Sequence, residues 1–153
     1  MKFIRSIPWL LLGLAILSLA AVEPKVLVNV DQRGLAMQGY DPVGYHTQGK
    51  ALRGNPEFAA RYQGATYHFA SEENRRRFEQ DPERYVPRFG GFCGYGLSKG
   101  YLAPVSCEAF QMVSGRLILQ YNQGAVQMFS KDLEQNLAKA EANWPGLVEK
   151  HGK

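Results

Sequence analysis

The sequence predicts an α+β fold: a small unit of strands and short helices, extended by a β-hairpin and a C-terminal helix. Residues 110–113 and 116–121 are predicted strands on either side of Ser114-Gly115, a pattern typical of a hairpin with a two-residue turn. Residues 125–143 instead repeat their apolar side chains at helical spacing. The order β, α, β, α, loop, ββ, α describes a small α+β domain.

The first elements of the chain are predicted to be a strand and a turn. Residues 26–30 are β-branched and apolar on alternate positions, which predicts a strand. Asp41 followed by Pro42 predicts a turn, with the Asp41 side chain capping it.

A short helix is predicted over residues 55–62. Asn55 is a typical helix cap, and Pro56 suits the first helical position. Phe58 and Tyr62 are four residues apart, so they would share one face of this helix. The glycine-containing turn that follows is interpreted as its stop.

Residues 65–70 are predicted to form a strand. Alternation places its aromatic side chains on one face and His68 on the other. Ser71 is then the cap of a helix with two acids in its first turn. This helix ends at Asp81, and Pro82 begins one further helical turn.

Two predictions concern the remaining segments. Residues 89–96 interleave four glycines with three aromatic residues and Cys93, which predicts tight turns packed by rings rather than a helix or a strand. The last helix is expected to run from about Ala125 to Asn143. Trp144-Pro145-Gly146 is expected to terminate it.

An export signal is predicted at residues 1–20, with one globular domain at residues 21–153. Lys2 and Arg5 precede an apolar run, and small residues then lead up to Ala21, where cleavage is expected. The run is shorter than the roughly 18–20 residues that span a bilayer, so an uncleaved membrane anchor is the less favoured alternative. The sequence therefore predicts a periplasmic or secreted protein with no stable membrane span after cleavage.

The charge and the motifs exclude several function classes. The formal charge is +4, and Lys2 and Arg5 supply two of these charges. The rest of the chain is only mildly basic, so no nucleic-acid partner is expected. No G-x-S-x-G elbow and no phosphate-binding glycine loop is present.

The chain resembles the YHS-domain family, most closely an exported subgroup of it. The resemblance places a YHS-like core at residues 39–96 and an extension, the hairpin and the last helix, at residues 97–146. The matching motifs are Gly39-Tyr40-Asp41-Pro42-Val43, Gly54-Asn55-Pro56-Glu57-Phe58, Gly64-Ala65-Thr66-Tyr67-His68-Phe69-Ala70-Ser71, Asp81-Pro82-Glu83-Arg84-Tyr85 and Gly90-Gly91-Phe92-Cys93.

The resemblance implies metal or thiol chemistry. YHS domains often accompany heavy-metal transport proteins, and many of those carry cysteines where this chain has Gly44, Tyr45, Ala70 and Asn74. In the exported subgroup the position of Cys93 is commonly cysteine, and in some members, which are selenoproteins, it is selenocysteine. That points to redox or soft-metal chemistry at Cys93.

Cys93 is therefore the candidate functional residue. Its flanking glycines would let a ligand approach closely, and its thiol could be a nucleophile, a redox centre or a soft-metal ligand. His68 and His46 are the candidate additional ligands, for copper or zinc. Two alternatives remain for Cys93: a buried side chain without a role in chemistry, or a disulfide with Cys107 across a loop of about 15 residues, worth roughly 3 kcal/mol.

Three functions follow from these observations. The first is a small module that binds a metal ion or a thiol-reactive species at Cys93. The second is a non-catalytic interaction module that docks another cell-envelope protein through its aromatic residues and its C-terminal helix. The third is a thiol-dependent redox enzyme, and binding is favoured over catalysis because no complete catalytic residue set is present.

Overall fold

The computed structural model describes residues 23–153, and the predicted export signal lies outside them. The described residues form an α+β fold, as the sequence predicts, and it contains two antiparallel hairpins and a C-terminal pair of helices. None of their helices combines the length and the apolar character needed to cross a membrane. The elements are α1 (Pro42–Thr47), β1 (Asn55–Tyr62), β2 (Ala65–Phe69), α2 (Glu72–Gln80), α3 (Pro82–Tyr85), α4 (Gly94–Ser98), β3 (Ser106–Val113), β4 (Arg116–Gln120), α5 (Gln123–Lys131) and α6 (Leu133–His151).

The predicted helix over residues 55–62 is wrong, because this segment is strand β1. It pairs antiparallel with β2 across Gln63 and Gly64, which have φ angles of 49° and 77° and so form a tight hairpin turn. The register shifts between Asn55 and Ala59. Pro56, which has no N–H to donate, lies within this shift and so breaks no ladder bond.

Asp41 begins helix α1 rather than the predicted turn. Its carboxylate has no exposed surface and accepts hydrogen bonds from the backbone N–H of Val43 (2.7 Å), the backbone N–H of Ala70 (2.8 Å) and Nδ2 of Asn74 (2.7 Å). One side chain thus joins the start of α1, the end of β2 and the first turn of α2. The helices predicted after Ser71 and from Pro82 are both present.

Residues 26–30 are not part of either hairpin, contrary to the predicted strand. They make single backbone contacts instead: the N–H of Asn29 donates to the carbonyl of Gly90 at 2.8 Å, and Val30 bridges Ala36. Val26 and Lys153 exchange two backbone hydrogen bonds of 2.9 and 3.0 Å. The segment therefore follows the surface and meets the C-terminal end of the chain.

The second hairpin is confirmed, whereas the last helix differs from its prediction. Strands β3 and β4 turn at Ser114 and Gly115, whose φ angles are 50° and 74°. The predicted single helix is interrupted at Asp132 (φ −130°, ψ 58°), which separates α5 from α6. Pro145 lies inside α6 and does not end it. Trp144 and Leu147 pack against the core on either side of this proline, which offsets the hydrogen bond it removes.

The core is shared between the YHS-like segment and the extension. One cluster joins Phe69 and Phe78 of the first half to Leu117 and Leu119 of β4. A second cluster forms around Phe129, where α5 and α6 cover the opposite side of the hairpin. The hairpin therefore has buried side chains on both faces, in accord with the continuous burial of residues 117–120.

Candidate functional site

Cys93 lies directly before α4 and against the end of β4. Its Sγ accepts hydrogen bonds from the backbone N–H of Tyr121 at 3.3 Å and of Gly96 at 3.5 Å. The thiol also lies 3.3 Å from Oε1 of Gln120, to which it donates. The sulfur is thus held in one position by the first turn of α4 and by the residues that end β4.

Gln120 fixes the other side of the site. Its side chain is fully buried, and its Oε1 also accepts from the backbone N–H of Tyr95 at 2.9 Å. Its Nε2 donates to Oε1 of Gln111 at 3.2 Å, and Gln111 in turn donates to Oγ of Ser130 at 3.2 Å. Sequence reasoning missed Gln120, although a polar residue closing the apolar run of β4 is a recognisable pattern.

The glycines beside Cys93 serve packing rather than ligand access. A Cβ added to Gly94 would lie 2.6 Å from Cγ2 of Ile118, and one added to Gly96 would lie 3.0 Å from Cβ of Ala103. Both positions therefore need glycine so that α4 can approach its neighbours. The expected irregular segment is in fact a 3-10 turn at Arg88–Gly91 followed by the short helix α4.

A pocket of about 260 Å³ opens at Cys93. Tyr95, Tyr101 and Tyr121 line it together with small apolar side chains. Tyr101 and Tyr121 are 54% and 56% exposed, whereas Cys93 is only 2% exposed. The thiol thus lies at the inner end of a small pocket with tyrosines at its solvent edge.

Cys107 belongs to a different environment. It is buried in β3, where its thiol donates to the backbone carbonyl of Met37 at 3.1 Å and burial raises the pKa of the thiol to about 11. The hydroxyl of Tyr45 donates to the backbone carbonyl of Cys107 at 2.7 Å. In this structure both cysteines are free thiols with separate neighbours, and the disulfide that the sequence leaves open as an alternative is not seen.

The two candidate histidines have other neighbours, and neither lines the pocket at Cys93. His46, in α1, packs edge-on against the ring of Tyr85 with centroids 5.2 Å apart. Burial, assisted by the charges of Arg84 and Arg116, lowers the pKa of His46. His68, in β2, lies beside the backbone of Gly39 and Gly54.

The residues present do not fit a copper or zinc centre. Within residues 23–153, no three His, Cys, Asp or Glu side chains are grouped as metal ligands. Cys93 is surrounded by backbone N–H donors and an amide rather than by His68 or His46. A soft-metal site needs several thiolate or imidazole ligands, and this arrangement supplies one.

The comparisons with known proteins identify one family. Residues 43–88 match the family model described as the YHS domain, so this stretch contains a YHS domain. YHS domains are often linked to metal binding. The matched stretch covers less than a third of the chain and ends before Cys93. Comparisons with curated proteins and with solved structures gave no match.

Proposed function

We propose that this protein is an exported binding module that holds a small thiol-reactive species at Cys93. The observation that carries the proposal is the position of the sulfur, which receives two backbone hydrogen bonds at the inner end of the tyrosine-lined pocket. A thiol that served packing alone would need neither the pocket nor the paired donors. The dispersed histidines favour this ligand class over a metal ion.

The donors support reaction at sulfur. N–H groups that point at Sγ stabilise the negative charge the sulfur carries when it attacks an electrophile. With a hydroperoxide, the sulfur attacks one peroxide oxygen, an S–O bond forms and the O–O bond breaks. The leaving oxygen takes up the proton from the thiol, which gives a sulfenic acid on Cys93 and releases water or an alcohol.

The position of Cys107 favours binding over turnover. A redox enzyme that resolves its own oxidised cysteine needs a second thiol in the same chain, which attacks the oxidised sulfur and forms a disulfide. Cys107 instead donates to Met37, and burial keeps it protonated at neutral pH by raising its pKa to about 11. The modified Cys93 would therefore persist until an external thiol reduced it.

The export signal at residues 1–20 completes the proposal. An oxidising cell envelope or extracellular medium exposes a free thiol to peroxides, and the small pocket at Cys93 then selects which of them reach the sulfur. If the signal is cleaved before Ala21, the intact mass of the exported protein should equal that of residues 21–153.

The test compares Cys93→Ser with Cys107→Ser, a matched loss of the other thiol. Each full-length protein is treated with hydrogen peroxide and, separately, with cumene hydroperoxide, and intact mass is followed over time. We expect one added oxygen atom on the unmodified protein and on Cys107→Ser, and none on Cys93→Ser. Oxidation of Cys93→Ser at the same rate, or of the unmodified protein no faster than free cysteine, would disprove the proposal.

A further inference from the structure

A second and larger cleft lies on another part of the molecule. Its volume is about 450 Å³, within the roughly 300–1,000 Å³ typical of small-molecule sites. It lies between the extended segment at residues 25–28, the start of β4 and α6, and it shares no lining residue with the pocket at Cys93. Arg116 and Trp144 form part of its wall.

Among the described residues, Arg116 has no partner for its charge. Its Nε is buried and makes no hydrogen bond to any of residues 23–153, and none of their carboxylates lies within 4.0 Å of its guanidinium. Buried donors without partners are rare, because each loses its hydrogen bonds to water. A half-buried arginine at the wall of a cleft is therefore placed to receive an anion from solution.

The other cations at the cleft are already neutralised. Arg88 pairs with Glu141, and Lys25 pairs with Glu149 at 2.7 Å. Glu83 also lines the cleft, where its carboxylate accepts a hydrogen bond from the hydroxyl of a neighbouring tyrosine. Of the residues that the structure describes at the cleft, Arg116 is then the one cation without an ion pair, and the Glu83 carboxylate lies at the same cleft. An anion with a single negative charge is therefore favoured over a phosphate that carries two.

The remaining walls of the cleft are apolar and aromatic. Trp144 and Phe89 pack edge-on with ring centroids 6.1 Å apart, and Val28 and Val86 lie beside them. Such a surface suits the hydrocarbon part of a ligand. We propose that this cleft binds a small monocarboxylate with an apolar body, its carboxylate paired with Arg116 and its body against Trp144 and Phe89.

The test is calorimetric titration of the full-length protein with phenylacetate, phenylacetamide and inorganic phosphate. We expect phenylacetate to bind with one-to-one stoichiometry, and the neutral amide and phosphate to bind at least about tenfold more weakly, since a charge-assisted pair accounts for that much. Arg116→Gln should lose at least about tenfold in affinity for phenylacetate. Arg61→Gln, an exposed arginine in β1, and Cys93→Ser should bind it like the unmodified protein.

Trp144 gives a second readout that does not depend on an arginine variant. The chain has two tryptophans, so in Trp9→Phe the fluorescence comes from Trp144 alone. Phenylacetate should change this fluorescence with the affinity found by calorimetry, and phenylacetamide should not at the same concentration. Equal binding of acid and amide, tighter binding of phosphate, no binding of phenylacetate, or unchanged affinity in a folded Arg116→Gln would each overturn the proposal.

Discussion

Asp41 and Gln120 show how single buried polar residues position whole elements. Each has no exposed surface, and each accepts two or more hydrogen bonds. Asp41 joins α1 to β2 and α2, whereas Gln120 joins β4 to the thiol of Cys93 and to α4. Their removal would leave several donors unpaired at once, which is why fully buried polar side chains are costly to replace.

At the same scale, Cys107 predicts a dependence of stability on pH. Burial raises the pKa of the Cys107 thiol from about 9 to about 11, so the folded state holds this proton more tightly than the unfolded state does. The resulting stability is complete below about pH 9 and is lost as the pH rises toward 11, up to roughly 3 kcal/mol for a shift of two pH units. Urea unfolding of the unmodified protein and of Cys107→Ala, at about pH 8 and about pH 10.5, measures it.

Comparison of the two proteins isolates the thiol from the buried tyrosines. Burial also raises the pKa of Tyr45 and of Tyr67, so their contribution to the free energy of unfolding also decreases at high pH. We expect the free energy of unfolding to decrease more between the two pH values in the unmodified protein than in Cys107→Ala. Equal decreases would show that Cys107 does not hold its proton more tightly in the folded state.

At the scale of elements, Gly90 fixes the extended segment to the rest of the fold. Its φ is +58°, and a Cβ added there would lie 2.0 Å from the carbonyl oxygen of Leu27. Gly90→Ala should therefore displace the segment and cost about 2–4 kcal/mol in the free energy of unfolding, measured in urea.

Gly146→Ala is the matched control for that substitution. Gly146 lies within α6, and a Cβ there would meet nothing within 4 Å. Alanine should be neutral at this position or stabilise the helix by up to about 1 kcal/mol. If the two variants had the same stability, the contact between Gly90 and Leu27 would not hold the segment.

The elements also show what could be predicted from sequence. Local sequence is sufficient to predict the start of α2, which the side chain of Ser71 caps. It is also sufficient to predict the hairpin turn at Ser114-Gly115, where both residues have positive φ angles. Asn55 and Pro56 led to the wrong prediction of a helix because both residues suit a helix start. Only the pairing of this segment with β2 makes it a strand. Pro145 misled for a similar reason, since distant packing holds α6 together around it.

The candidate site was predictable only in part. The sequence proposes Cys93 as the functional residue, and in the structure this thiol lies beside a pocket and accepts backbone hydrogen bonds. The proximity of Gln120 to the thiol, and the placement of His46 and His68 beside other residues, depend on contacts between residues far apart in sequence. The unpaired charge of Arg116 among the described residues could not be predicted for the same reason, because composition does not show which arginines lack a carboxylate neighbour.

For the whole molecule, the shared core predicts that the YHS-containing half does not fold alone. Phe69 and Phe78 pack in one cluster with Leu117 and Leu119, which lie in the extension. A chain ending at residue 96 would expose this apolar surface and lose the neighbours of Cys93. We expect it to lack the dispersed amide signals of a folded protein in a proton–nitrogen NMR spectrum.

The full-length chain is the control for this truncation and should unfold in one cooperative transition. Two separate transitions in the full-length chain, or a folded spectrum for the truncated one, would show that the two halves have independent cores.

The paired backbone of Val26 and Lys153 has a mechanical consequence. Two hydrogen bonds exchanged between antiparallel segments lie directly between the two ends of the described chain. A force that pulls these ends apart would break these two hydrogen bonds one after the other, before any tension reached the hairpins. The molecule should thus yield at its ends under low tension while the pocket at Cys93 keeps its shape.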